Sequence, residues 1–232
     1  MGVREDLLRL YDRMNARFGD LHWWPADGPF EVMVGAILTQ NTAWTNVEKA
    51  IAALKQRRLL TPLALSRTDE ATLAGIIRPS GYYNVKAKRL KAFVRFFLAE
   101  YGGNAEAMSA WEIAPLREKL LGVPGVGPET ADSILLFACR KPVFVGDAYT
   151  RRILLRHRLI PADADYHQIQ NLFMANLPPD VVLFNQFHAL LVQTGKAFCR
   201  KTPQCAPCPL ETLPKDECAV PLAGEGGGRP WS

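Results

Sequence analysis

The sequence predicts an all-α fold from the spacing of its apolar residues and from the segments that interrupt them. Apolar residues recur every three or four positions through most of the chain, which is typical of amphipathic helices. The alternation of apolar and polar residues that is typical of strands is almost absent, and Pro, Gly and Asp separate the helical stretches. In chain order, the predicted helices are MGVREDLLRLYDRMNARF (1–18), VEKAIAALKQ (47–56), NVKAKRLKAFVRFFLAEY (84–101), WEIAPLREKLL (111–121), PETADSILLFAC (128–139) and VVLFNQFHALLVQTGKAFC (181–199), and PVFVGDAYT (142–150) is predicted to be extended before it enters a helix.

The composition indicates a globular protein of one or two domains. The chain has 232 residues, of which 48% are hydrophobic and 22% charged, and its formal net charge is +5 with a sequence pI of about 9.0. This excess of positive charge favours a polyanionic partner. The sequence contains no apolar run of membrane-spanning length, so we expect a cytoplasmic protein that does not contact a membrane.

Residues 122–132, GVPGVGPETAD, predict a tight connection between two helices. Gly125 and Gly127 permit backbone conformations that other residues resist. Pro128 suits the first position of the second helix, because its missing N–H needs no intrahelical partner. Amides at the start of that helix would form an anion site that fits a phosphodiester. The alternative is a plain turn between packed helices.

An aspartate follows this hairpin at the start of another predicted helix. Asp147 lies in VGDAYTRRILLRHR (145–158), ahead of three arginines of the same helix. Taken alone, Asp147 is most simply an N-cap, because its side chain can accept hydrogen bonds from the first helical amides.

The helix-hairpin-helix, its Gly/Pro-rich loop and the later aspartate together resemble the endonuclease III (HhH-GPD) superfamily of DNA glycosylases. The resemblance runs through most of the chain. LTQNTAWTNVEKA (38–50) resembles the early helix whose glutamine fills the gap left by a flipped base, which is Gln40 here. SGYYNVKAKRL (80–90) resembles the wedge turn, with Tyr82 at the intercalating position.

The resemblance implies a two-lobed fold in which DNA binds across a groove. One lobe would be a six-helix barrel-like domain over 22–140 that carries the hairpin at about 121–128. The other would join 1–21 to 141–220 and include an iron–sulfur cluster domain, and 221–232 would form a flexible tail. We expect a monomer that binds damaged DNA, associated with the nucleoid if the source is a bacterium.

Four clustered cysteines near the C-terminus predict a metal site, whereas Cys139 stands apart as a core thiol. Spacing alone leaves tetrahedral zinc and a [4Fe-4S] cluster open. The resemblance favours the cluster, because GKAFC (195–199) matches the pattern that precedes the family's four-cysteine loop, although the spacing here is one residue shorter in the first pair and longer before the last cysteine. The cluster would be structural and would hold the loop over 199–218. The four predicted ligands are Cys199, Cys205, Cys208 and Cys218.

The resemblance also implies how the N-glycosidic bond is cleaved. As the flipped base departs, the sugar develops positive charge, which the Asp147 carboxylate would stabilise while it orients the attacking water. In bifunctional members a lysine in the second hairpin helix attacks the sugar, and Glu129 occupies that position here. A carboxylate cannot form a Schiff base, so we expect a monofunctional glycosylase. Glu129 would line the lesion pocket or simply stabilise the start of its helix.

Two other hypotheses remain open from the sequence. One is a bifunctional glycosylase and AP lyase on oxidised pyrimidines that uses another lysine, for instance Lys196. The other is a noncatalytic DNA-binding protein. The remaining predicted DNA contacts are the backbone or side chains of Gly125, Val126, Gly127, Arg151, Lys196, Arg200 and Lys201.

Tryptophans near the predicted pocket indicate the class of lesion. Trp24 lies in HWWP (22–25) and Trp44 in TQNTAW (39–44). Aromatic faces stack on bases and attract cations, and alkylated purines such as 3-methyladenine are cationic. With Glu129, this pattern is similar to the 3-methyladenine glycosylases of the endonuclease III-like branch. Oxidised pyrimidines and mismatched thymine remain alternatives, and both tryptophans could instead be core residues.

Overall fold

A computed structural model describes residues 2–214, and their secondary structure is helical, which confirms the predicted all-α class. These residues contain no strand. The predictions for Cys218 and for 221–232 concern residues outside this range. The helices are α1 (Val3–Phe18), α2 (Pro29–Leu38), α3 (Trp44–Gln56), α4 (Pro62–Arg67), α5 (Glu70–Ile76), α6 (Tyr83–Tyr101), α7 (Ala105–Ser109), α8 (Ile113–Leu121), α9 (Pro128–Ser133), α10 (Ala148–Arg156), α11 (Tyr166–Met174) and α12 (Val181–Ala197), with a 3₁₀ turn at Arg78–Ser80 and a π turn at Ile134–Ala138.

The described residues divide into two compact units, one of 24–141 and one that joins 2–23 to 142–214. In the first unit, α2 is central, since every residue from Val32 to Leu38 is buried. Its neighbour α6 contributes Phe93 and Phe97 to the core, and the Phe97 ring stacks on Phe30 with centroids 5.8 Å apart. Burial of these rings supplies much of the hydrophobic driving force of this unit.

The second unit is built around an aromatic core that fixes the extended segment before α10. The rings of Phe144 and Phe173 stack with centroids 3.6 Å apart, and Phe187 meets Phe173 edge to face. Hydrogen bonds hold the backbone of the same segment, because Gln170 Nε2 donates to Phe144 O at 2.8 Å and His188 Nδ1 lies 3.0 Å from Val145 O. The extended segment predicted ahead of Asp147 is therefore anchored on both sides.

The helix predicted over 128–139 differs from the structure in its second half. The α-helical part ends at Ser133, and Ile134–Ala138 forms a wider π turn in which Cys139 N donates to Ile134 O. The apolar residues ILLFA contain no breaker and fit either kind of helix, so the pattern could not show the change.

None of the helices described is both long and apolar enough to cross a membrane.

Candidate functional site

The hairpin between α8 and α9 has the tight geometry that its glycines predict. Gly125 has a φ of +88°, and a Cβ on it would lie 2.3 Å from Arg89 Cγ. Glycine is therefore required at position 125 for two reasons, which are the backbone conformation and the close approach of Arg89. Val126 is buried and its amide donates to Val123 O at 3.0 Å, whereas within residues 2–214 the amides of Gly125 and Gly127 have no backbone acceptor.

An ion pair ties the two hairpin helices together. The Arg117 guanidinium of α8 donates from Nε to Asp132 Oδ1 at 2.7 Å and from Nη2 to Oδ2 at 3.0 Å. Asp132 is fully buried in α9, so this bidentate contact is made in a low dielectric and fixes the angle between the helices. Glu129, on the first turn of α9, is half-buried.

Gln40 lies against the hairpin. Its Nε2 donates to Thr130 Oγ1 at 2.8 Å and to Gly125 O at 3.1 Å, and its Oε1 accepts from Arg89 Nη1. The structure thus brings together the glutamine and the hairpin glycine that were both predicted to contact DNA.

Tyr82 is held in an unusual and exposed conformation. Its backbone is left-handed, with φ 44° and ψ 32°, and its residue surface is 72% exposed. A left-handed conformation costs a non-glycine residue about 1–2 kcal/mol. An exposed aromatic ring on a strained turn is a feature of functional sites more than of packing.

Trp24 and Trp44 meet edge to face, with ring centroids 4.9 Å apart. Trp24 also lies on Gly35, where a Cβ would approach its Cζ2 to 3.1 Å. The two rings line a cleft of about 200 Å³ together with Glu31 and Glu48. Glu129, the third predicted pocket residue, does not line this cleft.

Asp147 is the N-cap of α10. Its Oδ1 accepts hydrogen bonds from Thr150 N at 2.7 Å and from Thr150 Oγ1 at 2.9 Å. The carboxylate is therefore oriented by the helix that it starts, and the capping role expected from its position is observed. Tyr149 packs beside it, and burial, together with the negative charge of Asp147, raises the pKa of the tyrosine hydroxyl.

Arginines of α10 hold the start of the predicted ligand loop, which begins at Cys199 and is here called the cysteine loop. Arg152 Nε donates to Cys199 O at 2.6 Å. Arg156 donates from Nη1 to Cys199 Sγ at 3.0 Å and to Arg200 O at 2.8 Å, and from Nη2 to Lys201 O at 3.2 Å. Arg151, predicted to contact phosphate, instead donates to Ala162 O in this structure.

Three of the four predicted metal ligands border one small cavity of about 30 Å³. Cys199, Cys205 and Cys208 line it with apolar groups of Ile153 and Phe198. No three His, Cys, Asp or Glu side chains of residues 2–214 already have the geometry of a metal site. Cys199 and Cys208 are thiols, whereas Cys205 is disulfide-bonded in this structure and could act as a ligand only in its reduced form. The two thiols share the cavity, and Cys199 accepts an N–H···S hydrogen bond of the kind that surrounds cluster sulfurs, so both have the chemistry of thiolate ligands.

The other predicted DNA-contacting cations lie near the end of α12. The Lys196 ammonium lies over the Trp23 ring, 5.7 Å from its centroid. Arg200 is exposed and donates from Nε to Lys196 O at 2.8 Å, and Lys201 is exposed.

Two cations of α6 that the sequence did not single out reach the segment over 38–43 that leads from the end of α2 to α3, here called the Gln40 loop. Arg89 contacts Gln40 and Gly125, and the fully buried Lys86 donates to backbone carbonyls. Their position one and two turns after Tyr82 was visible, but helical spacing alone did not distinguish them from the other basic residues of the helix.

Comparison with known proteins gives the class of this protein. Residues 34–179 match the HhH-GPD superfamily of base excision DNA repair proteins. A candidate DNA repair glycosylase of Methanocaldococcus jannaschii is 45% identical over 208 residues, which cover 89% of this chain and 94% of that protein. The chain therefore belongs to the HhH-GPD superfamily of base excision DNA repair proteins.

Within that superfamily it is an enzyme of the endonuclease III-like DNA glycosylases. Endonuclease III of Thermotoga maritima is 29% identical over 181 residues, 78% of this chain and 79% of that protein. The 3-methyladenine DNA glycosylase of H. pylori, solved with 1,N6-ethenoadenine, is 28% identical with a TM-score of 0.73. The match covers 84% of this chain and 98% of the H. pylori chain. An endonuclease III in a non-covalent DNA complex shares the fold, with a TM-score of 0.78 at 22% identity over 92% and 95% of the two chains.

Proposed function

We propose that this protein is a monofunctional glycosylase that flips an alkylated purine out of duplex DNA and hydrolyses its N-glycosidic bond. The observation that carries the proposal is a carboxylate, Glu129, on the first turn of α9, where lyase members have a lysine. Lys196 is a poor substitute nucleophile, because it lies near the end of α12 with its ammonium over the Trp23 ring, whereas the lyase lysine belongs to the second hairpin helix.

Asp147 would supply the catalytic carboxylate. Its capping contacts hold the side chain in one orientation, so it can stabilise positive charge on the sugar and accept a proton from water without first reorganising. We propose Trp24 and Trp44 as the stacking surfaces of the lesion pocket. In support, the H. pylori relative was solved with a modified adenine.

The DNA-binding residues are also part of the proposal. Gly125 and Gly127 would donate backbone amides to a phosphate, and Gln40 and Tyr82 would enter the duplex where the base has left. Lys196, Arg200 and Lys201, with Arg151 once it leaves Ala162 O, would add phosphate contacts. Val126 was also predicted to contact DNA, but its side chain is buried and its amide is bonded to Val123 O, so we propose that it fixes the hairpin instead. Binding should therefore weaken steeply with salt.

A cluster would have a structural role in this scheme. We propose that Cys199, Cys205, Cys208 and Cys218 hold a [4Fe-4S] cluster, which would supply a rigid core for the loop that carries Arg200 and Lys201. Brown protein with visible absorbance and with iron and sulfide content supports the cluster, whereas stoichiometric zinc in colourless protein refutes it. We further propose that the two compact units are the domains predicted at 22–140 and at 1–21 with 141–220, and that the protein acts as a monomer.

A lesion panel with product analysis tests the reaction. Duplexes with alkylated purines, oxidised pyrimidines, uracil or mismatched thymine are incubated with the protein and examined with and without alkaline cleavage. We expect release of an alkylated purine, strand cleavage only after alkali, and no adduct after borohydride reduction. A nicked product or a trapped adduct from the wild-type protein would refute monofunctional hydrolysis.

Two substitutions at Glu129 make this test sharper. Glu129→Lys places an amine at the position of the lyase lysine and should yield a borohydride-trapped adduct, while the matched control Glu129→Gln should not. Trapping by neither variant would contradict the placement of Glu129 at the sugar.

Asp147 is tested by separating its two roles. Asparagine caps a helix as well as aspartate does, so Asp147→Asn should keep the fold and lose base release by about a hundredfold or more. Asp147→Ala should lose both activity and about 1 kcal/mol of stability. Unchanged base release by Asp147→Asn would refute the mechanism, and unchanged DNA binding by both variants is the control.

A further inference from the structure

Lys86 is a charged side chain in the core of the first unit. Its residue surface is 1% exposed, and its Nζ donates to Ser80 O at 2.6 Å and to Leu38 O at 2.8 Å. Burial lowers the pKa of the ammonium to about 8, with a further contribution from the positive charge of Arg89. Within residues 2–214, no carboxylate pairs with it. Such burial is unfavourable, so the two carbonyl contacts need an explanation beyond stability.

The two carbonyls belong to the Gln40 loop and to the segment over 80–82 that carries Tyr82, here called the Tyr82 turn. Leu38 is the last residue of α2, two positions before Gln40, and Ser80 is the last residue of the 3₁₀ turn, two positions before Tyr82. Carbonyls at helix ends lack partners within their own helix. A single ammonium between them joins the two segments at a fixed distance.

We propose that Lys86 is a positioning residue that holds the Gln40 loop and the Tyr82 turn in one arrangement, so that both side chains enter the duplex together. The proposal rests on the roles given to Gln40 and Tyr82 in the proposed function. A buried apolar side chain of similar length would fill the same space but would leave the two segments unconnected.

Arg89 extends the same arrangement to the hairpin. It lies one turn after Lys86 on α6, donates to Gln40 Oε1, and packs its aliphatic stem against Gly125. Helix α6 therefore contacts the Gln40 loop through two cations, one of which also touches the proposed phosphate-binding turn. Through these contacts, one rigid helix connects the segment that carries Gln40 with the segment that carries Tyr82, so the two side chains can enter the duplex together.

A second lysine of α6 provides a matched control. Lys91 Nζ donates to Leu65 O, Ser66 O and Thr68 O, and so caps α4 in the way that Lys86 caps α2. Its partners lie in a segment without a proposed DNA-contacting residue. Replacing either lysine by methionine removes a cation that caps carbonyls, but only Lys86→Met separates the Gln40 loop from the Tyr82 turn.

The test uses the full chain and a duplex that holds a tetrahydrofuran abasic analogue, with 2-aminopurine as the opposite base. This probe needs no knowledge of the lesion. Affinity is measured for this duplex and for an undamaged one, and 2-aminopurine fluorescence reports unstacking of the opposite base. Gln40→Ala and Tyr82→Ala are measured in parallel, and denaturant unfolding checks that each variant is folded.

We expect Lys86→Met to lower the preference for the abasic duplex about tenfold and to remove most of the increase in 2-aminopurine fluorescence. Gln40→Ala and Tyr82→Ala should have the same two effects. The affinity of Lys86→Met for undamaged DNA should stay within about twofold of the wild type. Lys91→Met should match the wild type in both measurements. If Lys86→Met does not fold, Lys86→Gln, which keeps one N–H donor group, should show a smaller loss of the same preference.

Two results would overturn the proposal. If Lys86→Met or Lys86→Gln keeps the wild-type preference and fluorescence while Gln40→Ala and Tyr82→Ala lose them, the roles of Gln40 and Tyr82 stand and that of Lys86 fails. If Gln40→Ala and Tyr82→Ala also behave as the wild type, the proposed insertion itself is wrong and the role of Lys86 falls with it.

Discussion

Replacement of Gly125 by alanine tests the geometry of the hairpin. The new Cβ would lie 2.3 Å from Arg89 Cγ, 2.7 Å from Cδ and 2.8 Å from Nε, and the backbone φ of +88° is unfavourable for any L side chain. The conformational part should cost about 1–2 kcal/mol. The steric part should add about 1–3 kcal/mol, because the contact falls on the inner atoms of Arg89, which pack under the turn. We therefore expect Gly125→Ala to lower the free energy of unfolding by about 2–5 kcal/mol.

A double-mutant cycle with Arg89→Ala separates the two parts. Guanidinium unfolding followed by circular dichroism gives the four free energies. In the Arg89→Ala background the steric part disappears, so Gly125→Ala should then cost only about 1–2 kcal/mol. Gly75→Ala is the control, since Gly75 lies in α5, where a Cβ would have nothing within 4 Å, and its replacement should stabilise the helix by about 0.5 kcal/mol or more. An equal cost of Gly125→Ala in both backgrounds would refute the steric argument.

Three further predictions concern buried contacts. Because the pKa of Lys86 is lowered to about 8, the unfolded chain holds a proton between pH 8 and 10.5 that the folded chain has released. The free energy of unfolding of the wild type should therefore rise with pH in this range, by up to about 3 kcal/mol relative to Lys86→Met. Parallel pH profiles of the unfolding free energy for the two proteins would contradict this. Arg117→Met removes the bidentate partner of the buried Asp132 and should cost about 3 kcal/mol or more in denaturant unfolding, and the compensating variant Arg117→Met with Asp132→Leu should recover most of the loss if charge burial is the cause. Gly195→Ala places a Cβ on α12 at 2.4 Å from Tyr149 Cδ1 of α10 and should lower the melting temperature. The additional substitution Tyr149→Ala should relieve this loss. An unchanged melting temperature of Gly195→Ala would show that α10 and α12 can move apart without cost.

The sequence predicted the fold class and most helices because their apolar spacing is regular and tertiary packing did not override it. It also predicted the cap formed by Asp147, since aspartate before a helical pattern has a strong local preference for that role. It did not show the π turn after Ser133, because the wider turn leaves the apolar pattern unchanged. In each of these cases local chemistry decides how much the sequence reveals.

The contacts of the site depend on tertiary structure, and the sequence predicted them less well. It paired Trp24 with Trp44, which the structure brings together, but it could not show that Glu129 lies outside their cleft. Lys86 and Arg89 were hidden among the basic residues of α6, because only the folded chain shows that one is buried and the other lies under a glycine. Long-range carbonyl partners leave no periodic pattern in a sequence.

The hydrogen bonds between α10 and the cysteine loop have a consequence for how the sequence of this loop can diverge. Arg152 and Arg156 bind the carbonyl oxygens of Cys199, Arg200 and Lys201, and every amino acid supplies such an oxygen. Insertions, deletions and substitutions farther along the loop would leave these attachments intact. A lineage can therefore change the spacing of its later cysteines while the helix that begins at the aspartate keeps its support.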